Sequence, residues 1–294
     1  MAAVTVTTTN PSTLDIEYET FGSPDDPALL LVVGFAAHMT LWDTAFCELL
    51  AVGGRYVIRF DNRDCGLSSK LDGAHADPGA VLSAALHGED LPPVPYTLSD
   101  MANDGFGLLD ELGVDKVHAM GASMGGMIAQ TMAIERPERV LSLTSIMSTP
   151  GDQRVGKPTA EALAVLLAPP PTERDAFIEQ GARTVVWASR RYADPYAIRV
   201  KAAEHFDRSF YPEGGPRQLA AIYASGDRSA GLAGLEMPVL VMHGRDDTLI
   251  TIDAGVATAE AVPGAFLLLM ADMGHDLPPA QWPMVVAAIL GITS

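Results

Sequence analysis

The sequence predicts an α/β fold: a mostly parallel, eight-stranded sheet with helices on both faces and a helical insertion between two of its strands. Three observations predict it. Strand-like and helix-like patterns alternate along most of the 294 residues, the order that builds parallel sheets. Residues 28–33 (Ala-Leu-Leu-Leu-Val-Val) form a continuous apolar run, as a central strand covered on both faces requires. Residues 150–234 interrupt the alternation with helical patterns alone.

Residues 3–9 and 14–21 alternate apolar and polar side chains around Asn10-Pro11-Ser12. This reads as an antiparallel hairpin with one solvated face. The buried strand at 28–33 follows Pro24 and Pro27 and runs into Gly34-Phe35-Ala36-Ala37-His38. A helix is expected from about residue 40 to 52, then a strand over 55–60. Residues 70–97 form a long connection containing Pro and Gly, with a short helix at 79–86. Connections of this length in a compact domain are usually functional or mobile. Ser99-Asp100 opens a helix to about Leu112, with Gly113 as its stop signal. A strand over 116–120, a helix to Arg136 and a strand over 140–147 follow.

Helices are expected over 159–168, 172–189, 195–210 and 216–225. Thr172 and Asp194 are the N-cap candidates, and Pro195 sits in a first turn. No strand alternates with them. The chain is therefore divided into a core of residues 1–149 and 235–294 and a helical cap, or lid, of residues 150–234. Alternation resumes with a strand at 238–242, a helix at 252–262, a strand at 265–270 and a helix at 279–290.

Composition narrows the function. With 48% hydrophobic and 19% charged residues, the chain carries a sizeable core and is not disordered. A net charge of −18 argues against nucleic acid and anionic membranes as partners and reads as a solvated acidic surface. The two cysteines, Cys47 and Cys65, stand in no metal-ligand spacing, so neither a disulfide framework nor a metal site is expected. Cys65 is read as a small buried residue. No apolar run reaches the length of a membrane span. The first residues lack a basic region followed by an apolar core, and the expected compartment is the cytoplasm.

Chemistry concentrates at Val117-His118-Ala119-Met120-Gly121-Ala122-Ser123-Met124-Gly125-Gly126. Here a strand ends in Gly-x-Ser-x-Gly and a helix starts at once. Such a serine sits on a sharp, strained turn with its hydroxyl clear of the backbone. The new helix aims its unpaired N–H groups and positive dipole end at that turn. A serine hydroxyl needs a base, and the base needs an orienting group. Later strands supply both in the order Ser…Asp…His. The strand at 238–242 runs into His243-Gly244-Arg245-Asp246-Asp247, with two candidate carboxylates. The strand at 265–270 runs into Ala271-Asp272-Met273-Gly274-His275-Asp276.

With these segments the chain resembles the α/β-hydrolase superfamily along nearly its whole length. Gly-Ala-Ser-Met-Gly-Gly, Gly-Arg-Asp-Asp and Met-Gly-His match its nucleophile, acid and base segments. Residues 61–68 (Asp-Asn-Arg-Asp-Cys-Gly-Leu-Ser) resemble the family's Asp-x-Arg-Gly-x-Gly-x-Ser turn, with Asp64 in place of the first glycine. Within the superfamily the chain looks most like bacterial carboxylesterases related to aclacinomycin methylesterase. The resemblance implies Ser123 as nucleophile, His275 as general base and acid, and Asp247, not Asp246, as the orienting carboxylate. It implies an oxyanion hole from the backbone N–H groups of Met124 and Phe35. Many relatives carry His-Gly-x where this chain has Val33-Gly34-Phe35, which removes a side chain that can brace the loop.

The expected activity is hydrolysis of a small to medium-sized apolar carboxylic ester, with no metal or cofactor. Its alternatives are a cofactor-free perhydrolase, a carbon–carbon bond hydrolase and a triad-retaining small-molecule receptor. Phe35, Met39, Trp42 and Trp187 are expected to line the substrate pocket, with Met273 beside them. Half or more of the aromatic residues of 150–234 are assigned to that segment's own core. His38 is read as a solvated loop histidine, His243 as structural, and Asp272 and Asp276 as surface residues.

Overall fold

In a computed structural model, which describes residues 2–294, the apolar run becomes strand β3 (Ala28–Val32). A strand projects successive side chains to opposite faces, and β3 divides its residues accordingly. Leu30 and Val32 join one apolar core, Leu29 and Leu31 the other, and all four are fully buried. The remaining strands are β1 (Ala2–Thr7), β2 (Thr13–Phe21), β4 (Tyr56–Phe60), β5 (Val117–Ala122), β6 (Val140–Ile146), β7 (Val239–Gly244) and β8 (Phe266–Met270). They form one eight-stranded sheet in the order β1-β2-β4-β3-β5-β6-β7-β8. β1 pairs antiparallel with β2, and β2 with β4. All other pairings are parallel. The carboxyl ends of β3 to β8 therefore share one edge of the sheet, where ligands of open α/β sheets bind.

Helices cover each face. Helices α1 (Thr44–Val52) and α11 (Trp282–Ile292) bury Phe46, Cys47, Leu50, Val285 and Ile289 on one side. Helices α3 (Leu98–Glu111), α4 (Met124–Glu135) and α10 (Ile252–Ala261) bury Phe106, Ile128, Met132 and Ala254 on the other. Burial of this kind stabilises by roughly 25 cal/mol per Å² of apolar surface. Among the described residues no helix is long and apolar enough to cross a membrane.

Several boundaries shift for local reasons. The helix expected at 40–52 starts only at Thr44, because the Asp43 carboxylate caps it by accepting the Ala45 N–H at 2.9 Å. A separate one-turn 3-10 segment, Met39–Leu41, precedes it. The short helix in the long connection is α2 (Pro78–His87), started by Asp77 and Pro78 and ended by Gly88 at φ 67°, a left-handed cap that glycine adopts without strain.

Between β6 and β7 lie α5 (Ala160–Leu166), α6 (Arg174–Ala182), α7 (Pro195–Arg208), α8 (Gly214–Ser225) and the unexpected one-turn α9 (Ser229–Leu232). Asp194 caps α7 through the N–H groups of Tyr196 and Ala197. Thr172 caps nothing: α6 follows Glu173. The helix expected to reach residue 189 breaks at 182 into a 3-10 turn, Arg183–Trp187. The β-branched run Thr184-Val185-Val186 is a weak helix former. Phe177, Phe206 and Phe210 pack together, with centroids 4.8–5.6 Å apart.

Candidate active site

Strand β5 delivers Ser123 to the shared edge, and α4 begins at the next residue. Ser123 has φ 57° and ψ −125°, a conformation that costs a non-glycine residue roughly 1–3 kcal/mol. Its surroundings enforce it. The Ser123 N–H donates to the Ile146 carbonyl of β6 at 2.9 Å. Its carbonyl accepts the Gly126 N–H at 2.9 Å and the Ser148 hydroxyl at 2.8 Å. The flanking glycines have no room for a side chain. A methyl group at Gly121 runs into the Gly125 carbonyl, and one at Gly125 into the Val32 carbonyl.

Asp247 lies in the turn after β7. Its Oδ1 accepts the N–H groups of Leu249 and Ile250, each at 2.9 Å. Its Oδ2 lies 2.7 Å from His275 Nδ1 and 3.5 Å from His243 Nε2. Burial opposes ionisation of this carboxyl. The charge of His275 and hydrogen bonds from both histidines outweigh it and hold the pKa down at about 2. Asp246 faces elsewhere, accepting the Arg190 N–H at 3.2 Å. His243 is buried and its Nε2 is 2.8 Å from the Ile250 carbonyl, so it braces the same turn.

The loop after β8 presents His275. Its N–H donates to the Trp187 carbonyl at 2.6 Å. Asp276 is not the surface residue expected. Its Oδ1 accepts the N–H groups of Gly274 and Ser189, each at 3.0 Å, and tethers the histidine loop to the segment that carries Trp187. Burial raises its carboxyl pKa. Asp272 does face solvent, 3.2 Å from Arg191.

The structure thus brings Asp247 and His275 into a hydrogen bond and sets Trp187 beside His275. Among the described residues the Ser123 hydroxyl makes no hydrogen bond to His275. Such bonds are often long before substrate arrives. Gly34 backs onto the serine: a Cβ placed on it lies 3.2 Å from Ser123 Cβ. The N–H groups of Phe35 and Met124 have no acceptor among the described residues. Phe35 is half-buried.

Two sequence assignments are corrected by packing. Trp42 stacks on Phe46 at 6.0 Å within the second core, where a pocket lining was expected, while Met39 is fully buried. His38 is not solvated. It is 1% exposed and stacks on His205 of α7, with centroids 3.7 Å apart and planes 13° apart. Burial, then the charges of His205, Arg208 and Lys70, lowers the His38 pKa to about 2. Burial lowers His205 to about 4, against the pull of Asp61. The unfolded chain takes up these protons near pH 6.5 and the folded chain only below about 4. The contribution of these two rings to stability is therefore complete above pH 6.5 and is lost as the pH drops through that window. His205→Phe, which keeps the stack, is expected to flatten the fall in Tm between pH 6.5 and 4. Parallel curves for parent and variant would count against it. His118, lowered to about 4 by burial and Arg55, adds a slope of the same sign that the variant leaves in place.

Other contacts had no local signal. Arg217 of α8 holds Asp64 through both carboxylate oxygens, at 2.7 and 2.8 Å. Gln218 accepts the Ala36 N–H at 2.8 Å across 182 residues of sequence. Arg208 of α7 lies 2.7 Å from buried Asp61.

Comparison with known proteins agrees with this architecture. Residues 27–278 match the model of the alpha/beta hydrolase fold family. Rhodomycin D methylesterase DauP of Streptomyces sp. (strain C5) is 29% identical over 299 aligned positions, covering 94% of this chain and 93% of that protein. The 2-hydroxymuconate semialdehyde hydrolase of Pseudomonas putida is 31% identical over 186 positions, 61% of this chain and 63% of that one. A thermophilic esterase from Thermogutta terrifontis superposes over 100% of both chains with a TM-score of 0.73 at 24% identity. The chain belongs to the α/β-hydrolase fold family.

Proposed function

We propose, from this family membership, that the chain is a serine esterase that cleaves a small to medium-sized apolar carboxylic ester. The observation that carries the reading is the 2.7 Å Asp247–His275 bond, made on two loops at the sheet edge that also presents the strained Ser123. Whole-length similarity to a methylesterase supports the choice of an ester bond.

In this reading Ser123 Oγ attacks the ester carbonyl carbon and His275 Nε2 takes its proton. Asp247 keeps the other imidazole proton on Nδ1 and stabilises the imidazolium. The carbonyl oxygen becomes an oxyanion and accepts the N–H groups of Phe35 and Met124. The intermediate collapses to an acyl-enzyme as His275 gives its proton to the leaving alkoxide. Water then enters, gives a proton to His275 and attacks the acyl carbon; this second intermediate collapses as the C–Oγ bond breaks and His275 returns the proton to Ser123 Oγ, releasing the acid. No cofactor takes part in these steps. Residues 1–149 and 235–294 form the catalytic core and residues 150–234 its cap, with Phe35 and Trp187 facing the substrate.

Steady-state hydrolysis of nitrophenyl esters from acetate to decanoate tests the proposal. Multiple turnover is expected, with a chain-length optimum that sizes the acyl site. A single burst without turnover would overturn it in favour of ligand reception or of a chemistry with a different second substrate.

A further inference from the structure

The Phe35 N–H belongs to the Gly34–Phe35 peptide, and that peptide lies between two pinned neighbours. On one side the Val33 carbonyl accepts Asn62 Nδ2 at 2.9 Å. On the other the Ala36 N–H donates to Gln218 Oε1 at 2.8 Å. Ala36 has φ 49°, in the left-handed region that a non-glycine residue keeps only when its surroundings enforce it. A turn bond spans it, with the Ala37 N–H donating to the Gly34 carbonyl at 3.4 Å, and from outside the turn the bond to Gln218 holds the Ala36 N–H itself.

Gln218 is suited to that task. It is 1% exposed, and its amide is engaged at both ends. Oε1 takes the Ala36 N–H, and Nε2 donates to the Arg63 carbonyl at 2.9 Å. Rotating the amide strands a buried donor and a buried acceptor, each costly to leave unpaired. The preceding residue fastens the same helix. Arg217 grips Asp64 with two parallel hydrogen bonds, a geometry that fixes orientation as well as distance. Asp64 is itself left-handed, with φ 62°. Two consecutive residues of α8 thus hold two strained positions, one in the segment after β3 and one in the turn after β4.

We propose that Gln218 is a positioning residue for the oxyanion hole. By holding the Ala36 N–H it sets the direction of the Phe35 N–H, so turnover depends on α8 being docked. This rests on the esterase reading, in which Phe35 meets the oxyanion.

Gln218→Met keeps the length and removes both polar atoms. The kcat for a nitrophenyl ester is expected to fall about 10- to 100-fold, part of the loss seen when an oxyanion donor is deleted outright. KM stays nearly unchanged. Affinity for a trifluoromethyl ketone, which adds to Ser123 and places an oxyanion in the hole, falls by the same factor. Gln218→Glu supplies a second readout. Its protonated carboxyl reproduces both hydrogen bonds, with C=O accepting from Ala36 and O–H donating to Arg63. The ionised form has no proton for Arg63, and repulsion between its oxygen and that carbonyl turns the carboxylate away from its place beside Ala36. Its activity relative to the parent is therefore expected to decline across roughly pH 5 to 9, the span in which buried glutamates ionise.

Unchanged kcat and ketone affinity in folded Gln218→Met overturn the proposal. So does a fall in kcat with ketone affinity intact, which marks a merely structural role. If Gln218→Met does not fold, the Gln218→Glu series decides, and a ratio independent of pH overturns the proposal. Failure of the esterase reading shows separately, as a parent protein without Ser123-dependent turnover or ketone binding.

Discussion

Ser123→Ala is expected to lower ester turnover on the order of 10⁶-fold, as removal of the nucleophile does where nucleophile, base and acid act as one unit. The variant remains a fair test because the fold does not depend on the hydroxyl. The Ser123 backbone N–H and carbonyl make the contacts that hold the turn, and the side chain makes no capping bond to α4. Alanine inherits the left-handed backbone without adding atoms. Tm should therefore stay close to that of the parent while kcat collapses. The backbone donors at Phe35 and Met124 survive the change, so slow hydrolysis above the rate in water is expected to persist. Steady-state assays on a nitrophenyl ester, with Tm measured in parallel, separate the two effects. Retained turnover in a folded variant would sink the serine mechanism.

Asp247→Asn should lower kcat about 10⁴-fold with KM nearly unchanged, because an amide imposes the wrong imidazole tautomer. The amide oxygen of the variant can still accept the N–H groups of Leu249 and Ile250, which Asp247 Oδ1 accepts now. The NH₂ group then replaces Oδ2 beside His275 Nδ1. Two donors cannot face each other, so the ring proton moves to Nε2, where it blocks removal of the serine proton. The same NH₂ meets the donating Nε2 of His243, which costs stability. That cost depends on pH. The Asp247 carboxyl titrates at about 2 in the folded protein against an ordinary 3.8. Its ionised form stabilises the fold fully above pH 3.8, and the contribution disappears as pH falls through about 2. The Tm gap between parent and Asp247→Asn should be widest near neutrality and close in strong acid. A gap that stays constant with pH would contradict the depressed pKa, and a kcat within tenfold of the parent would contradict the orienting role.

Much of this was legible in the chain itself. The buried strand at 28–33, the Gly-x-Ser-x-Gly turn and the order Ser123, Asp247, His275 are local patterns. Each is dictated by the period of a strand, the sterics of a tight turn or the position of a residue just past a strand end. The eight strands and the long helical interruption follow from the same periodicities, and the family resemblance rests on those short segments. The choice between Asp246 and Asp247 lay at the limit: spacing left both open, and the structure turns Asp246 to Arg190 and Asp247 to His275.

Tertiary structure alone decided the rest. His38 looks like a solvated loop residue until α7, more than 150 positions away, lays His205 across it. Trp42 and Met39 sit where a pocket lining was expected, yet they are buried, and Trp42 fills the core beside α1. Asp276 reads as a surface acid until the segment at 187–189 supplies an N–H for it to accept. Gln218 carries no motif and meets Ala36 only once α8 has docked. Asp64, in the place of a glycine, accepts the nearby Leu71 N–H, but its carboxylate also meets Tyr96 and, from α8, Arg217. The physical reason is common to all of them. Backbone period and turn sterics act between near neighbours and are written in short stretches of sequence. Burial and the pairing of a buried polar atom depend on which distant segment arrives to cover it.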